Sequence, residues 1–150
     1  MLRKIVPDVI GKQSPVIVSA ETTVRDAVKL MHTHNIGAVM VGDAQTLTGI
    51  FTERDLAFKV VAAGRDPDKI RLAEVMTPNP DTLRPQDSPH DALQRMSQGR
   101  YRHLPVVDDS GRVVGMVSVR DIYGAMLHHL EDELHDREAF IQGSAGYGLN

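Results

Sequence analysis

The sequence predicts an α/β (α+β) fold: two βαββα repeats forming a pseudo-two-fold pair, with a longer C-terminal helix. The first observation is an internal repeat, the feature to seek before any other. Slid by 65 residues, Asp26, Ala27 and Met31 fall on Asp91, Ala92 and Met96, and Ile36–Asp43 falls on Tyr101–Asp108. After one extra loop residue, a slide of 66 sets GIFTERDL (Gly49–Leu56) on GMVSVRDI (Gly115–Ile122). The second observation is that both halves alternate β-rich runs and helix-spaced stretches in the same order. The third is size: one βαββα unit has too little core to stand well alone, whereas two can bury their open sheet faces and leave clefts between them.

The elements follow in order. VIVS (Val16–Ser19) reads as a short strand. Thr22 or Thr23 starts a helix whose Val24, Ala27, Val28 and Met31 share one face. AVMV, the turn DAQTLTG and LTGIF make a hairpin, and Thr52 opens a second helix that stops at Gly64. The second half repeats this: TLRP, the helix DSPHDALQRMSQG, the strand HLPVVD, the turn DSGR, the strand VVGMVS and a longer helix from Val119. The boundaries predicted are a first repeat with its lead-in over 1–66, a linker carrying prolines over 67–80, a second repeat over 81–135, and a helix end with a flexible tail over 136–150.

The bulk numbers remove several classes. A content of 41% hydrophobic and 25% charged residues is ordinary for a globular protein. No apolar run approaches the roughly 18 residues that span a bilayer, and the N-terminus shows no export signal, so no membrane role is expected. There is no cysteine, which removes disulfides, thiolate nucleophiles and cysteine zinc sites and suits a cytoplasmic protein. A net charge of −3, scattered Lys and Arg, and 4% aromatics argue against nucleic-acid binding. No H-E-x-x-H, G-x-S-x-G or P-loop pattern is present, so catalysis and a catalytic metal are not expected. His32 and His34 do not share a helical face; His128 and His135, seven apart, do, but a solvated or packed face accounts for them better than a metal.

The repeated turn carries the chemistry. Its plain reading is a capping box, with Thr52 and Ser118 as N-caps and Asp55 and Asp121 returning the bond. The same geometry suits a ligand. A helix N-terminus offers free N–H groups and a positive dipole end to phosphate, and an ionised carboxylate, which only accepts, takes both hydroxyls of a ribose.

The order strand, helix, hairpin, G-h-h-[ST]-x-x-D, helix, given twice, resembles a tandem cystathionine-β-synthase (CBS) domain pair. EVMTPNPDTLRP and RHLPVVDDSGRVVGMVS carry the likeness, which covers residues 10 to 130. The resemblance implies a regulatory, non-catalytic module whose ligand is an adenine nucleotide: AMP, ADP, ATP or NAD(H), with S-adenosylmethionine offering the same adenosine. It implies a homodimer formed through the repeat helices and an effector protein elsewhere that reads the ligand state.

By the same resemblance, one cleft combines Ser118 and Asp121 with Thr22, Ala27, Ile36 and Gly37. The other combines Thr52 and Asp55 with Asp87, Ala92 and Tyr101. Arg102 and His103 stand where related pairs carry basic residues, so the Ser118/Asp121 cleft is expected to be the better phosphate site, while Asp87 would repel phosphate in the other. Val18, Leu83, Ile50 and Met116 either wall an adenine or simply pack. Arg54 and Arg120 either reach phosphates or stay solvated. The last helix is acidic, with Leu127, Leu130, Leu134 and Ile141 near heptad spacing, which suits packing on its own domain or a dimer seam.

Overall fold

A computed structural model describes residues 2–147. In the first half, β1 (Ile17–Val18) lies parallel to β2 (Ala38–Gly42), and β2 pairs antiparallel with β3 (Leu47–Thr52). Helix α1 (Val24–His34) starts at Thr23, whose hydroxyl accepts from the Asp26 N–H at 3.2 Å, and ends at Asn35 in the left-handed region. Val24, Ala27 and Met31 recur at helical spacing and are buried against Val39, Val41 and Phe51 of the sheet. Beyond β3, α2 (Glu53–Asp55) runs on as a wider-wound segment, Leu56–Val61.

The second half repeats the plan with fewer strands. Leu83 makes a single parallel bridge to Val106 where the first half has β1. Helix α4 (Pro89–Gly99) carries a Ser88/Asp91 capping box, and β5 (His103–Val107) pairs with β6 (Val113–Ser118). Helix α5 is a single helix over Val119–Tyr147. The helix end expected over 136–150 thus reaches Tyr147, and the last three residues of the tail expected to be flexible lie outside the described residues.

The two lead-ins correct the domain reading. The stretch expected as a linker folds into α3 (Leu72–Val75) and β4 (Thr77–Pro78). Ile70, Leu72 and Val75 enter the first core, and β4 pairs with β3. Conversely, the N-terminal lead-in packs on the second half: Ile5 and Ile10 are buried with Leu83, Leu104 and Ile122, and the Ile5 N–H donates to the Asp87 carbonyl at 2.8 Å. Each half thus completes its core with the segment that precedes the other half.

This exchange explains the glycine that opens each repeated turn. A Cβ on Gly49 would stand 2.5 Å from Met76 Sδ and 3.0 Å from the Thr77 carbonyl; one on Gly115 would stand 2.6 Å from Gln13 Oε1. The missing side chain lets a lead-in cross close to the strand. Gln13 completes the second crossing by accepting the Met116 N–H at 3.0 Å.

Candidate ligand cleft between the repeats

The two turns are built alike. The Thr52 hydroxyl accepts from the Asp55 N–H at 3.2 Å while Asp55 accepts from the Thr52 N–H at 3.0 Å. The corresponding distances for Ser118 and Asp121 are 3.0 and 2.8 Å. Each helix start is also tied to its own half: Glu53 N–H donates to the Gly37 carbonyl, and Val119 N–H to the Arg102 carbonyl. Gly37 and Arg102 are thus equivalent positions of the two repeats.

The two carboxylates differ in their surroundings. Asp55 is 6% exposed. Besides its cap bonds it takes the Thr77 hydroxyl at 3.2 Å and the Lys59 ammonium at 2.9 Å. Asp121 is exposed, and its cap to Ser118 is the one bond it accepts among the described residues. The cause is the lead-in: β4 delivers Thr77 beside Ile50, above the buried Asp55.

A cleft of about 890 Å³ opens between the repeats on the Thr52 side. The first half contributes Gly37, Ile50, Thr52, Glu53, Arg54, Asp55, Phe58 and Lys59. The segment around β4 contributes Thr77, Asn79, Pro80 and Asp81, and the second half contributes Gly99–Leu104. Tyr101 is therefore with Thr52 and Asp55, as expected. Its hydroxyl donates to Asp81, and burial first, then that bond, pushes its pKa up to about 12.

Arg102 and His103, expected on the Ser118/Asp121 side, line this Thr52-side cleft. The chain passes from Tyr101 straight into β5, so the three consecutive residues line the cleft together. His103 lies between the two turns. A Cβ on Gly37 would stand 3.2 Å from its ring, and Glu53 and Asp121 both pull its pKa up; burial outweighs them and holds it below the ordinary histidine value.

Asp87 is engaged elsewhere. Buried in the second half, it accepts the Arg84 N–H at 2.8 Å and faces the guanidinium groups of Arg84 and Arg95 at 3.7 and 3.9 Å. Its charge is answered locally, so it is not the repulsive carboxylate expected for the Thr52 cleft. Ala27, Ala92 and Leu83 are fully buried core residues, and Val18 and Ile36 pack against the first core. Thr22 acts through its backbone, its carbonyl accepting from Leu72 N–H. Met116 sits in β6 opposite Pro105, and Arg120 is exposed in the first turn of α5.

Arg54 lies over the Phe58 ring at 5.4 Å and lines the cleft. Arg100 went unnoticed in the sequence. It ends α4 in the left-handed conformation (φ 57°), at the position where the first half has Asn35 (φ 52°). An arginine there is a costlier choice than asparagine, and the sequence alignment of the halves carries that signal. Neither Arg100 nor Arg102 joins an ion pair among the described residues.

Comparison with known proteins agrees with this architecture. The family model described as "CBS domain" matches twice, over residues 8–62 and 72–128. The chain belongs to the CBS domain family. This CBS pair is 39% identical over 130 residues to the mitochondrial CBS domain-containing protein CBSX3 of Arabidopsis thaliana, covering 83% of this chain and 63% of that protein. It is 34% identical to the meiotically up-regulated gene 70 protein of Schizosaccharomyces pombe, covering 93% of this chain but 19% of the relative. It therefore spans less than two thirds of either relative.

Among solved structures, a protein with CBS domains from Burkholderia ambifaria MC40-6 superposes with a TM-score of 0.78 at 32% identity, covering 83% of this chain and 94% of that one. The CBS pair of protein MJ0100, in complex with 5′-methylthioadenosine and S-adenosyl-L-methionine, gives 0.72 at 28% identity, covering 86% and 98%. The hexameric CBS-CP12 protein from bloom-forming cyanobacteria gives 0.72 at 31%, covering 82% and 71%. No helix among the described residues is long and apolar enough to cross a membrane.

Proposed function

We propose that this CBS pair is a non-catalytic regulatory module that binds an adenosine-bearing nucleotide between its repeats and passes the bound state to an effector protein. The carrying observation is the cleft in which the capped start of α2 meets Arg54, Arg100 and Arg102. The helix-start N–H groups of Thr52, Glu53 and Asp55 are already bonded within the chain, so the guanidinium groups, which join no ion pair among the described residues, are what suit a phosphate chain here. The ligand complex of the MJ0100 pair supports an adenosine moiety; the arginines favour a phosphorylated one, AMP, ADP, ATP or NAD(H), over S-adenosylmethionine. This reading moves the phosphate preference to the Thr52 cleft and leaves Asp121, with its open acceptor, as a second ribose position.

Bridging both halves, a ligand favours one relative arrangement of them, and a partner reads that shift. Phe58, Val61, Tyr123 and Leu127 are 59–70% exposed on the closing helices of the two halves. They form the surface through which we expect a homodimer. A cytoplasmic setting belongs to the same reading and rests on the cysteine-free composition.

A ligand bound only to the folded state raises the melting temperature by mass action. The test is a thermal-shift series with AMP, ADP, ATP, NAD⁺, NADH, S-adenosylmethionine and adenosine, with mass spectrometry of whatever the purified protein releases. A rise with phosphorylated ligands that Arg102→Ala reduces towards the adenosine level supports the proposal. No shift with any of them, and nothing released, favours a pure interaction module. The observation on that side is the Asp55 carboxylate, already filled by Thr77 and Lys59.

A further inference from the structure

Helix α5 continues past residue 128, where the family match ends, and from Glu131 to Gln142 every residue is exposed. The segment projects from the fold. Leu130, Leu134 and Ile141 are 53%, 59% and 64% exposed and lie along one stripe. A helix of this length gains little from propensity alone and is held by burying its apolar face, so the stripe calls for a cover.

Charge decides what covers it. With Leu134 and Ile141 at heptad position a, Leu130 and Arg137 fall at d, Glu131 and Glu138 at e, and Glu133 at g. A second copy in parallel would set Glu133 against Glu138 and Arg137 against Arg137. An antiparallel copy would set Glu131 beside Glu138. Either arrangement of two copies brings like charges together along the seam, which acts against self-pairing. His128 and His129, which face Asp132 and Glu133 at 3.6 and 3.3 Å, sit one turn before the acidic stretch and leave its flanks acidic.

We propose that α5 from Leu130 to Ile141 is a docking helix for a basic amphipathic helix of a partner protein. That helix lays apolar residues on Leu130, Leu134 and Ile141 and sets Lys or Arg against Glu131, Glu133 and Glu138. This surface is separate from the nucleotide cleft, and it continues along α5 from Leu127 of the expected dimer face, which lies one turn before Leu130.

The test uses the full chain and two fluorescein-labelled synthetic helices with Leu at a and d, one carrying Lys and the other Glu at e and g. Fluorescence anisotropy should show saturable, salt-weakened binding of the Lys helix, at least about tenfold tighter than the Glu helix. The double variant Leu134→Asn/Ile141→Asn keeps every charge and, being exposed, leaves the unfolding midpoint in place; it should lose about tenfold or more in affinity. Glu131→Lys/Glu138→Lys should lose the Lys helix and gain the Glu helix. The proposal fails if the Asn variant binds the Lys helix as well as the parent does, because attraction is then charge alone. It also fails if sedimentation shows that the Asn variant breaks an assembly of the parent chain, because a second copy is then the cover.

Discussion

Asp55 and Asp121 occupy the same place in two copies of one turn, yet they carry different loads. Asp55 answers the Thr52 N–H, two hydroxyls and an ammonium, while Asp121 answers the Ser118 N–H. Asp55→Ala removes a buried acceptor that serves more donors than Asp121 does, so without ligand it should cost more than the about 1 kcal/mol expected for loss of the cap at Asp121→Ala. The cost stays at about 1–2 kcal/mol because Thr77 and Lys59 remain open to water. Urea midpoints of the two variants check this. Arg100 gives the opposite trade. Arg100→Asn relieves an L-residue held in the left-handed region, so it should raise stability by up to about 1 kcal/mol and weaken nucleotide binding at once. Paired melts with and without ATP separate the two effects.

At the scale of elements, the lead-in crossings make the two opening glycines unequal. Gly49→Ala would press on Met76 Sδ and on the Thr77 carbonyl, which β4 fixes; Gly115→Ala would press first on the far end of the Gln13 side chain. The first substitution should cost about 1–3 kcal/mol and the second less, measured by denaturant unfolding. The repeat itself announced strands, helices and caps, because hydrophobic period and turn chemistry are local. It did not announce that 67–80 folds, since Ile70, Leu72 and Val75 show no period until α3 and β4 set them on the first core. Thr77, a donor to the Asp55 carboxylate, was hidden for the same reason.

For the whole molecule, His103 sits where both repeats and both turns meet. Its folded pKa is held below the ordinary value of 6.5, chiefly by burial, so below that pH the unfolded chain binds the extra proton. Its contribution to stability is therefore complete above about pH 6.5 and falls as the solution is made more acid. Bonds to Ser88, Ser110 and the Arg71 N–H hold Asp91, Asp108 and Glu74 below their ordinary values, so their contributions are lost only at still lower pH. Urea midpoints at about pH 7.5 and about pH 5.5 should differ more for the parent than for His103→Gln.

The sequence by itself determined the family, the order of elements, both capping boxes and the residue types of the turn, since each rests on spacing along the chain. Only the tertiary structure decided how the lead-ins are exchanged and which carboxylate is already occupied. It also decided that Arg102 and His103 line the cleft on the Thr52 side, and that the end of α5 stands clear of the fold. Those outcomes depend on which surfaces meet across the pseudo-two-fold. A repeat in the sequence makes the two sides look equivalent, and packing makes them different.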